Sequence, residues 1–215
     1  MENELKRNIL SVTERIARAA SGRKVTLVAA TKTVPADVIN AAIGFGITDI
    51  GENRVQEYID KKDGVTGAKW HFIGTLQRNK AKYLVGNVAL IQSVNSTELA
   101  CEIDRLAQKR GVTQDVLIEV NAAGEIGKTG APIDMFEAIL EQCNKLSGLR
   151  VRGIMAVPPR DANDIVYRRL GDMFDRHKND TFDTLSVGMS GDFERAIEGG
   201  SNMVRIGTSI FGSRI

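Results

Sequence analysis

The sequence predicts an α/β protein, specifically a closed (β/α)8 TIM barrel with an extra N-terminal helix. Three observations lead there. Eight short apolar runs alternate with amphipathic helical patterns along 215 residues. Each connection is long enough to hold the crossover helix that parallel pairing requires. No low-complexity stretch or linker interrupts the alternation, so residues 1–215 read as one domain, a length that a single barrel can use whole. An open doubly wound sheet, which the same alternation permits, is the second choice.

Leu5, Ile9, Val12, Ile16 and Ala19 recur at helical spacing among Lys6, Arg7, Glu14, Arg15 and Arg18, which predicts the leading helix. The first strand runs from Val25 to Ala30 and delivers Lys32 at its carboxyl end. Pro35 suits the first turn of the next helix, whose inward face is Val38, Ile39, Ala42 and Ile43. Ile47 to Ile50 forms the second strand, leading into Gly51-Glu52-Asn53 and a helix with Val55, Tyr58 and Ile59. Lys69 to Ile73 is the third and Val88 to Val94 the fourth. Asn95-Ser96-Thr97-Glu98 has capping-box spacing, and Gly111 stops the helix carrying Leu99, Ile103 and Leu106. Val116 to Val120 is the fifth strand, followed by a helix opened by Pro132. Leu149 to Met155, Thr184 to Val187 and Met203 to Ile206 complete the eight.

Charged residues make up 26% and the net charge is +2, so no strong field argues for nucleic acid or an anionic membrane. No apolar run reaches membrane-spanning length. The charged start Met1-Glu2-Asn3-Glu4-Leu5-Lys6 lacks the hydrophobic segment of a signal peptide, so a cytoplasmic location is expected. Cys101 and Cys143 show no metal-ligand spacing and read as core thiols within helical patterns; no metal site is expected.

In such a barrel the active face lies at the carboxyl ends of the strands, and a phosphate site often forms after strands seven and eight. Those loops are the glycine-rich ones here. Gly188-Met189-Ser190-Gly191 and Gly207-Thr208-Ser209 can offer backbone N–H donors together with the Ser190 and Thr208 hydroxyls. Taken singly, Ser190 reads equally as a helix cap and Gly207 as a tight turn. Arg205 lies two residues before Gly207 and so on the same, inward face. A buried guanidinium needs an acceptor, either a ligand or one of Glu119 and Glu52. Lys32 becomes chemically interesting in that company, because desolvation and a neighbouring cation favour the neutral, nucleophilic form of an amine. An amine, a phosphate anchor and a partner for a ring nitrogen are together what pyridoxal 5'-phosphate requires. Asn53, His71 and Met155 also stand at strand ends, where they can contact the ring. A loop cap, a satisfied core histidine and core packing are their plainer explanations. Arg78, Lys80 and Lys82 form a basic cluster, read as a solvated face in preference to a second anion site. The loop holding Glu119-Val120-Asn121 and Lys128-Thr129-Gly130 is assigned only to the active face.

The assembled blocks resemble the pyridoxal phosphate homeostasis protein family. They are Val28-Ala29-Ala30-Thr31-Lys32-Thr33, Gly51-Glu52-Asn53-Arg54-Val55-Gln56-Glu57, Trp70-His71-Phe72-Ile73-Gly74-Thr75-Leu76-Gln77-Arg78-Asn79-Lys80, Gly153-Ile154-Met155-Ala156, Leu185-Ser186-Val187-Gly188-Met189-Ser190-Gly191-Asp192, and Val204-Arg205-Ile206-Gly207-Thr208-Ser209-Ile210-Phe211-Gly212. The resemblance spans nearly the whole chain. Ile154 stands where the family often has Leu and Val187 where it often has Met. The resemblance implies a barrel like the N-terminal domain of alanine racemase. It further implies that Lys32 carries the cofactor as an aldimine, that Ser190, Gly207 and Thr208 hold the phosphate, and that Arg205 faces the pyridine nitrogen.

The function expected on these grounds is pyridoxal phosphate binding that maintains vitamin B6 and amino and keto acid balance, with no robust catalysis. Alanine racemase, which the fold resembles, takes one of its two bases from a tyrosine in a second domain of its partner subunit. Here Tyr58, Tyr83 and Tyr167 all fall in helical patterns and the chain stops at Ile215, so that base is expected to be missing. A guanidinium can only donate, so opposite Arg205 the ring nitrogen must stay unprotonated, a weak electron sink. A pyridoxal-phosphate-dependent racemase of weak or narrow activity is the alternative, and a barrel aldolase or isomerase using Lys32 on a sugar phosphate a more distant one. A monomer is the expected state, with pyridoxal-phosphate-dependent apoenzymes as possible recipients of the cofactor.

Overall fold

The structure is a computed structural model that describes residues 2–122, 124 and 129–212. Strands β1 (Thr26–Ala30), β2 (Asp49–Glu52), β3 (Lys69–Phe72), β4 (Leu90–Val94), β5 (Gln114–Asn121), β6 (Ala131–Pro132), β7 (Leu149–Ala156), β8 (Thr184–Ser186) and β9 (Met203–Ile206) share one sheet. Every pairing is parallel. The order β4-β3-β2-β1-β9-β8-β7-β5 closes on itself through β4 and β5, giving an eight-stranded barrel with the two-residue β6 outside the ring against β5. The expected TIM barrel is therefore what the chain forms.

Closure explains the strand composition. Strands covered by helices outside and by one another's side chains inside are buried on both faces, and all five residues of β4 are buried. Val28, Leu90, Leu117, Met155 and Met203 fill the barrel's interior. A larger apolar layer, including Ala29, Ile50, Phe72, Ile91 and Val116, packs between sheet and helices.

The leading helix α1 (Glu2–Ala20) buries Leu5, Ile9, Val12, Ile16 and Ala20. Asn8 Nδ2 donates to the Ile210 carbonyl at 3.0 Å, and Arg15 makes a two-pronged pair with Glu194 at 2.8 Å. These ties set the first turns of α1 at the barrel's carboxyl-end face. Helices α2 (Ala36–Gly44) and α3 (Val55–Lys61) follow β1 and β2. Only a 3-10 helix, Arg78–Tyr83, links β3 to β4. Its Arg78, Lys80 and Lys82 are exposed, with both ammonium groups lying over the Tyr83 ring.

Helix α4 (Thr97–Arg110) ends as its sequence requires: Ser96 Oγ accepts the Leu99 N–H, and Gly111 takes the left-handed φ of 65°. Helix α5 (Phe136–Cys143) follows a 3-10 turn after Pro132, and α6 (Asp164–His177) connects β7 to β8. The short α7 (Phe193–Glu198) and α8 (Thr208–Phe211) follow β8 and β9.

Two expectations need correction. Cys143 is buried, its thiol pushed up to about 11 by desolvation, but Cys101 is exposed. The inward face of α4 is Leu99, Ala100, Ile103, Leu106 and Ala107, which turns position 101 outward. The second strand begins two residues later than expected and extends through Glu52, because its partners are Val28 to Ala30 on one side and Lys69 to Phe72 on the other. That shift brings Glu52 into the sheet.

Removing the α4 cap with Ser96→Ala should cost about 1 kcal/mol, seen as a fall in Tm of about 2–4 °C by calorimetry for a chain of this size.

Candidate functional site

Lys32 is half-buried in the turn that leaves β1. The residues around it are clamped. Thr31 is fully buried; its N–H donates to the Gly51 carbonyl at 2.9 Å and its hydroxyl to Glu52 Oε1 at 2.8 Å. From α3, Lys61 Nζ donates to the Thr31 carbonyl at 2.9 Å, Glu52 Oε1 at 2.7 Å and Glu57 Oε2 at 3.1 Å. Glu57 Oε2 also accepts the Thr33 N–H at 2.6 Å. Thr33 needs that support, since its φ of 64° is unusual for a β-branched residue and costs about 1–3 kcal/mol. Burial pushes the Glu52 carboxyl up, partly offset by Lys61 and Thr31. Lys32 thus projects from a turn held on both sides.

The loops after β8 and β9 face it. Gly188 turns the chain with φ 105°, and a Cβ there would lie 2.8 Å from the Ala196 methyl and 2.9 Å from Phe193 Cα, so glycine is required. Asp192 accepts the Met189 N–H at 2.6 Å and the Tyr167 hydroxyl at 2.8 Å. Burial and that hydrogen bond push the Tyr167 phenol up to about 12. Ser190 Oγ accepts the Ser209 N–H at 3.3 Å and so joins the two loops. The N–H groups of Ser190, Gly191 and Thr208 donate to no acceptor among the described residues. A cluster of directed, unspent donors beside hydroxyls is chemistry suited to an anion.

Arg205 reaches the barrel's interior from β9. Nη1 donates to the Ser186 carbonyl and hydroxyl, both at 2.7 Å, and Nη2 to the Ala156 carbonyl at 2.9 Å. Neither carboxylate considered from the sequence pairs with it directly. Glu52 is taken by Thr31 and Lys61, while Glu119 accepts the Thr129 hydroxyl at 2.6 Å and acts on Arg205 only through space. Desolvation pulls the guanidinium down to about 10, which leaves it cationic at neutral pH. The Glu119 carboxyl is pushed up by burial.

Lys32, Ser190, Arg205, Gly207 and Thr208 border one cavity of about 760 Å³ at the carboxyl-end face. Its size is that of a small-molecule site. Asn53, His71 and Met155 are not among its bordering residues. Asn53 is half-buried at the end of β2, Met155 belongs to the interior apolar cluster, and His71 has both ring nitrogens engaged, by Asp49 at 2.9 Å and Gln92 at 3.0 Å. The structure adds Arg160 and, from α1 and α2, Glu2, Glu4 and Asp37 to the rim. No strand-end rule points to those helix residues. Lys128 lies outside the described residues, and no helix among the described residues is long and apolar enough to cross a membrane.

This barrel, with a lysine after its first strand and phosphate-type loops after its last two, defines a class, and residues 3–215 match the family described as alanine racemase, N-terminal domain. Within that class, the chain is 42% identical to the pyridoxal phosphate homeostasis protein of Aquifex aeolicus over 217 residues, 94% of this chain and 95% of that one. The structure of PipY from Synechococcus elongatus with pyridoxal phosphate bound superimposes with a TM-score of 0.81 at 30% identity, covering 93% of this chain and 99% of that one. Alanine racemase of Clostridium difficile shares the fold, with a TM-score of 0.78 at 15% identity over 99% of this chain and 57% of that one. The chain belongs to the pyridoxal phosphate homeostasis protein family.

Two outcomes follow from the buried charges. Lys61→Ala strands the Glu52 carboxylate and should cost about 3 kcal/mol in urea unfolding, with Glu52→Gln in the same chain recovering most of it. Burial pushes the Asp49 carboxyl up, but hydrogen bonds from His71 and Thr48 outweigh it and hold the group below its usual value of 3.8. Its contribution is therefore present above that value and lost as pH falls through the lower folded value. The stability gap between the wild type and Asp49→Asn, measured by urea unfolding, should be constant near neutrality and shrink below about pH 4.

Proposed function

We propose that residues 1–215 form one pyridoxal 5'-phosphate-binding domain that takes up, holds and releases the cofactor in the cytoplasm, and so maintains pyridoxal phosphate and amino and keto acid balance. The observation that carries this reading is the convergence of Lys32, the Ser190 and Thr208 hydroxyls, free N–H donors and a cationic arginine on one cavity. The bound PipY structure and the relatives' names support the choice of ligand.

Each residue has a role in this reading. The N–H groups of Ser190, Gly191 and Thr208, with the two hydroxyls, receive the phosphate dianion. Gly207 lets that loop lie close to β1, since a Cβ there would stand 3.2 Å from the Ala30 carbonyl oxygen. When bound, the cofactor supplies an aldehyde that condenses reversibly with the Lys32 amine, releasing water. Arg205 offers a hydrogen to the ring nitrogen, while Asn53 and Met155 support the site from behind the cavity wall. His71 acts at one remove.

Retention without turnover is the behaviour this arrangement favours. Arg205 is an obligate donor, so the ring nitrogen opposite it stays unprotonated and withdraws electrons weakly. A racemase needs a base on each face of its substrate. None of the three tyrosines borders the cavity: Tyr58 donates to the Asn87 carbonyl, Tyr167 donates to Asp192, and Tyr83 is exposed on the 3-10 helix. The protein acts as a monomer and passes the cofactor to apoenzymes that require it.

Titration of the purified protein with pyridoxal phosphate should produce an absorbance band near ~420 nm, the signature of the cofactor joined to an amine, and Lys32→Ala should produce none. No band in the wild type would overturn the reading. Deuterium exchange at the α-carbon of a panel of amino acids should be negligible; exchange at ordinary enzyme rates, about 1 s⁻¹ or faster, would make the chain a catalyst.

A further inference from the structure

Below the cavity, four polar side chains cross the barrel's interior in a single file. Ser186, Gln92 and His71 are buried on β8, β4 and β3, and Asp49 begins β2. Arg205 Nη1 donates to Ser186 Oγ at 2.7 Å, and Ser186 Oγ donates to Gln92 Oε1 at 2.7 Å. Gln92 Nε2 stands 3.0 Å from His71 Nδ1, and His71 Nε2 stands 2.9 Å from Asp49 Oδ1. Thr48 Oγ1 donates to the other Asp49 oxygen at 2.7 Å.

The chemistry of the groups orders the protons. A guanidinium only donates and an ionised carboxylate only accepts, so the two ends have fixed and opposite polarity. The Gln92 amide nitrogen can only donate, which makes His71 Nδ1 the acceptor and puts the ring proton on Nε2, facing Asp49. With that assignment each of the four links has one donor and one acceptor and points from Arg205 toward Asp49, and Gln92 Nε2 also donates to Met203 Sδ at 3.3 Å. Reversing any one link alone leaves two donors or two acceptors face to face among buried groups, so the links hold one another in place.

We infer that Ser186, Gln92, His71 and Asp49 are positioning residues that form one directional relay fixing the Arg205 guanidinium, and through it the hydrogen bond offered to the pyridine nitrogen of the cofactor. This inference rests on the pyridoxal phosphate reading above. Its geometric core is the donor count at Arg205. Both Nη1 hydrogens are spent on Ser186 and one Nη2 hydrogen on Ala156, which leaves Nε and the second Nη2 hydrogen for the cavity. If Ser186 Oγ turns away, an Nη1 hydrogen loses its acceptor and the guanidinium is held only by the Ser186 and Ala156 carbonyls. The relay therefore helps set which edge of Arg205 faces the ring.

The test has two arms, one of which needs no cofactor. In the unloaded protein, ¹⁵N NMR of the imidazoles should show His71 with a bare Nδ1 and a protonated Nε2. The protein has only two histidines, so His177→Gln completes the assignment. The Arg205 Nε–H signal, assigned by its absence in Arg205→Lys, should shift in His71→Leu and in Gln92→Leu, although neither position touches the guanidinium. His71→Gln can accept from Gln92 and donate to Asp49, and should restore it. In the loaded protein, Gln92→Leu and His71→Leu should keep a visible band but displace its maximum, with pyridoxal phosphate held about fivefold less tightly, the effect of about one hydrogen bond. His71→Gln should return both toward wild type. Folded variants with an unmoved Arg205 signal, or with an unmoved band, overturn the inference. A wild type that takes up no pyridoxal phosphate refutes the function proposed above, and the relay then stands or falls on the NMR arm.

Discussion

A closed parallel barrel must fill its own interior, and this one commits part of that space to a guanidinium. An isolated charge in such a place costs several kcal/mol unless its donors are met. Here Ser186 and Ala156, on the two strands that follow one another around the ring from β9, supply a hydroxyl and two carbonyl oxygens. Neutral acceptors satisfy the hydrogen bonds while leaving the positive charge in place. A carboxylate in direct contact would have neutralised that charge and occupied the edge turned toward the cavity. Glu119 remains at one remove, opposing desolvation through space without taking a donor. The register of β7, β8 and β9 is therefore part of the site.

A second constraint governs the other side of the cavity. The turn carrying Lys32 holds Thr33 in a left-handed conformation, and a short β-branched turn would relax out of it if left alone. Glu57 and Lys61 from α3, and Glu52 from β2, grip the backbone on either side of the lysine. Burying an ion pair for this purpose adds little net stability, and its value lies in specificity: one position for one amine. Lys61 binds the frame, which leaves Lys32 as the amine presented to the cavity.

Much of this was legible in the sequence, and the reasons differ from residue to residue. Strand ends could be read because apolar runs stop where polar loops begin, which placed Lys32, Ser190, Arg205, Gly207 and Thr208 on one face. Alternation put Arg205 inward correctly, but its acceptors were invisible because carbonyl oxygens have no sequence signature. Cys101 was misplaced because helical periodicity near a small residue cannot separate a face from its edge. The second strand slid by two residues because its limits are set by β1 and β3, far away in sequence. Gln92 and Ser186 did leave a signal: Gln92 follows Leu90-Ile91, and Ser186 stands between Leu185 and Val187, polar residues set beside apolar ones. Their connection to His71 could be seen only once the ring had closed.

These features bear on the proposed custody of a cofactor by a fold shared with a racemase. Tight and reversible retention needs many directed contacts and a covalent bond that hydrolysis can undo, whereas carbanion chemistry needs an electron sink and a mobile base. Under the proposed carrier function, two groups of the chain favour retention. The arginine is committed as a donor, and the hydroxyl of Tyr167 is spent fixing Asp192, which in turn holds the N–H of Met189 and shapes the loop of Ser190. A tyrosine used in this way stabilises the loop of Ser190, its phenol pushed up to about 12. Stiffness has been placed in the turn that carries Lys32 and in the loop of Ser190, and Tyr167 is given to the second of these.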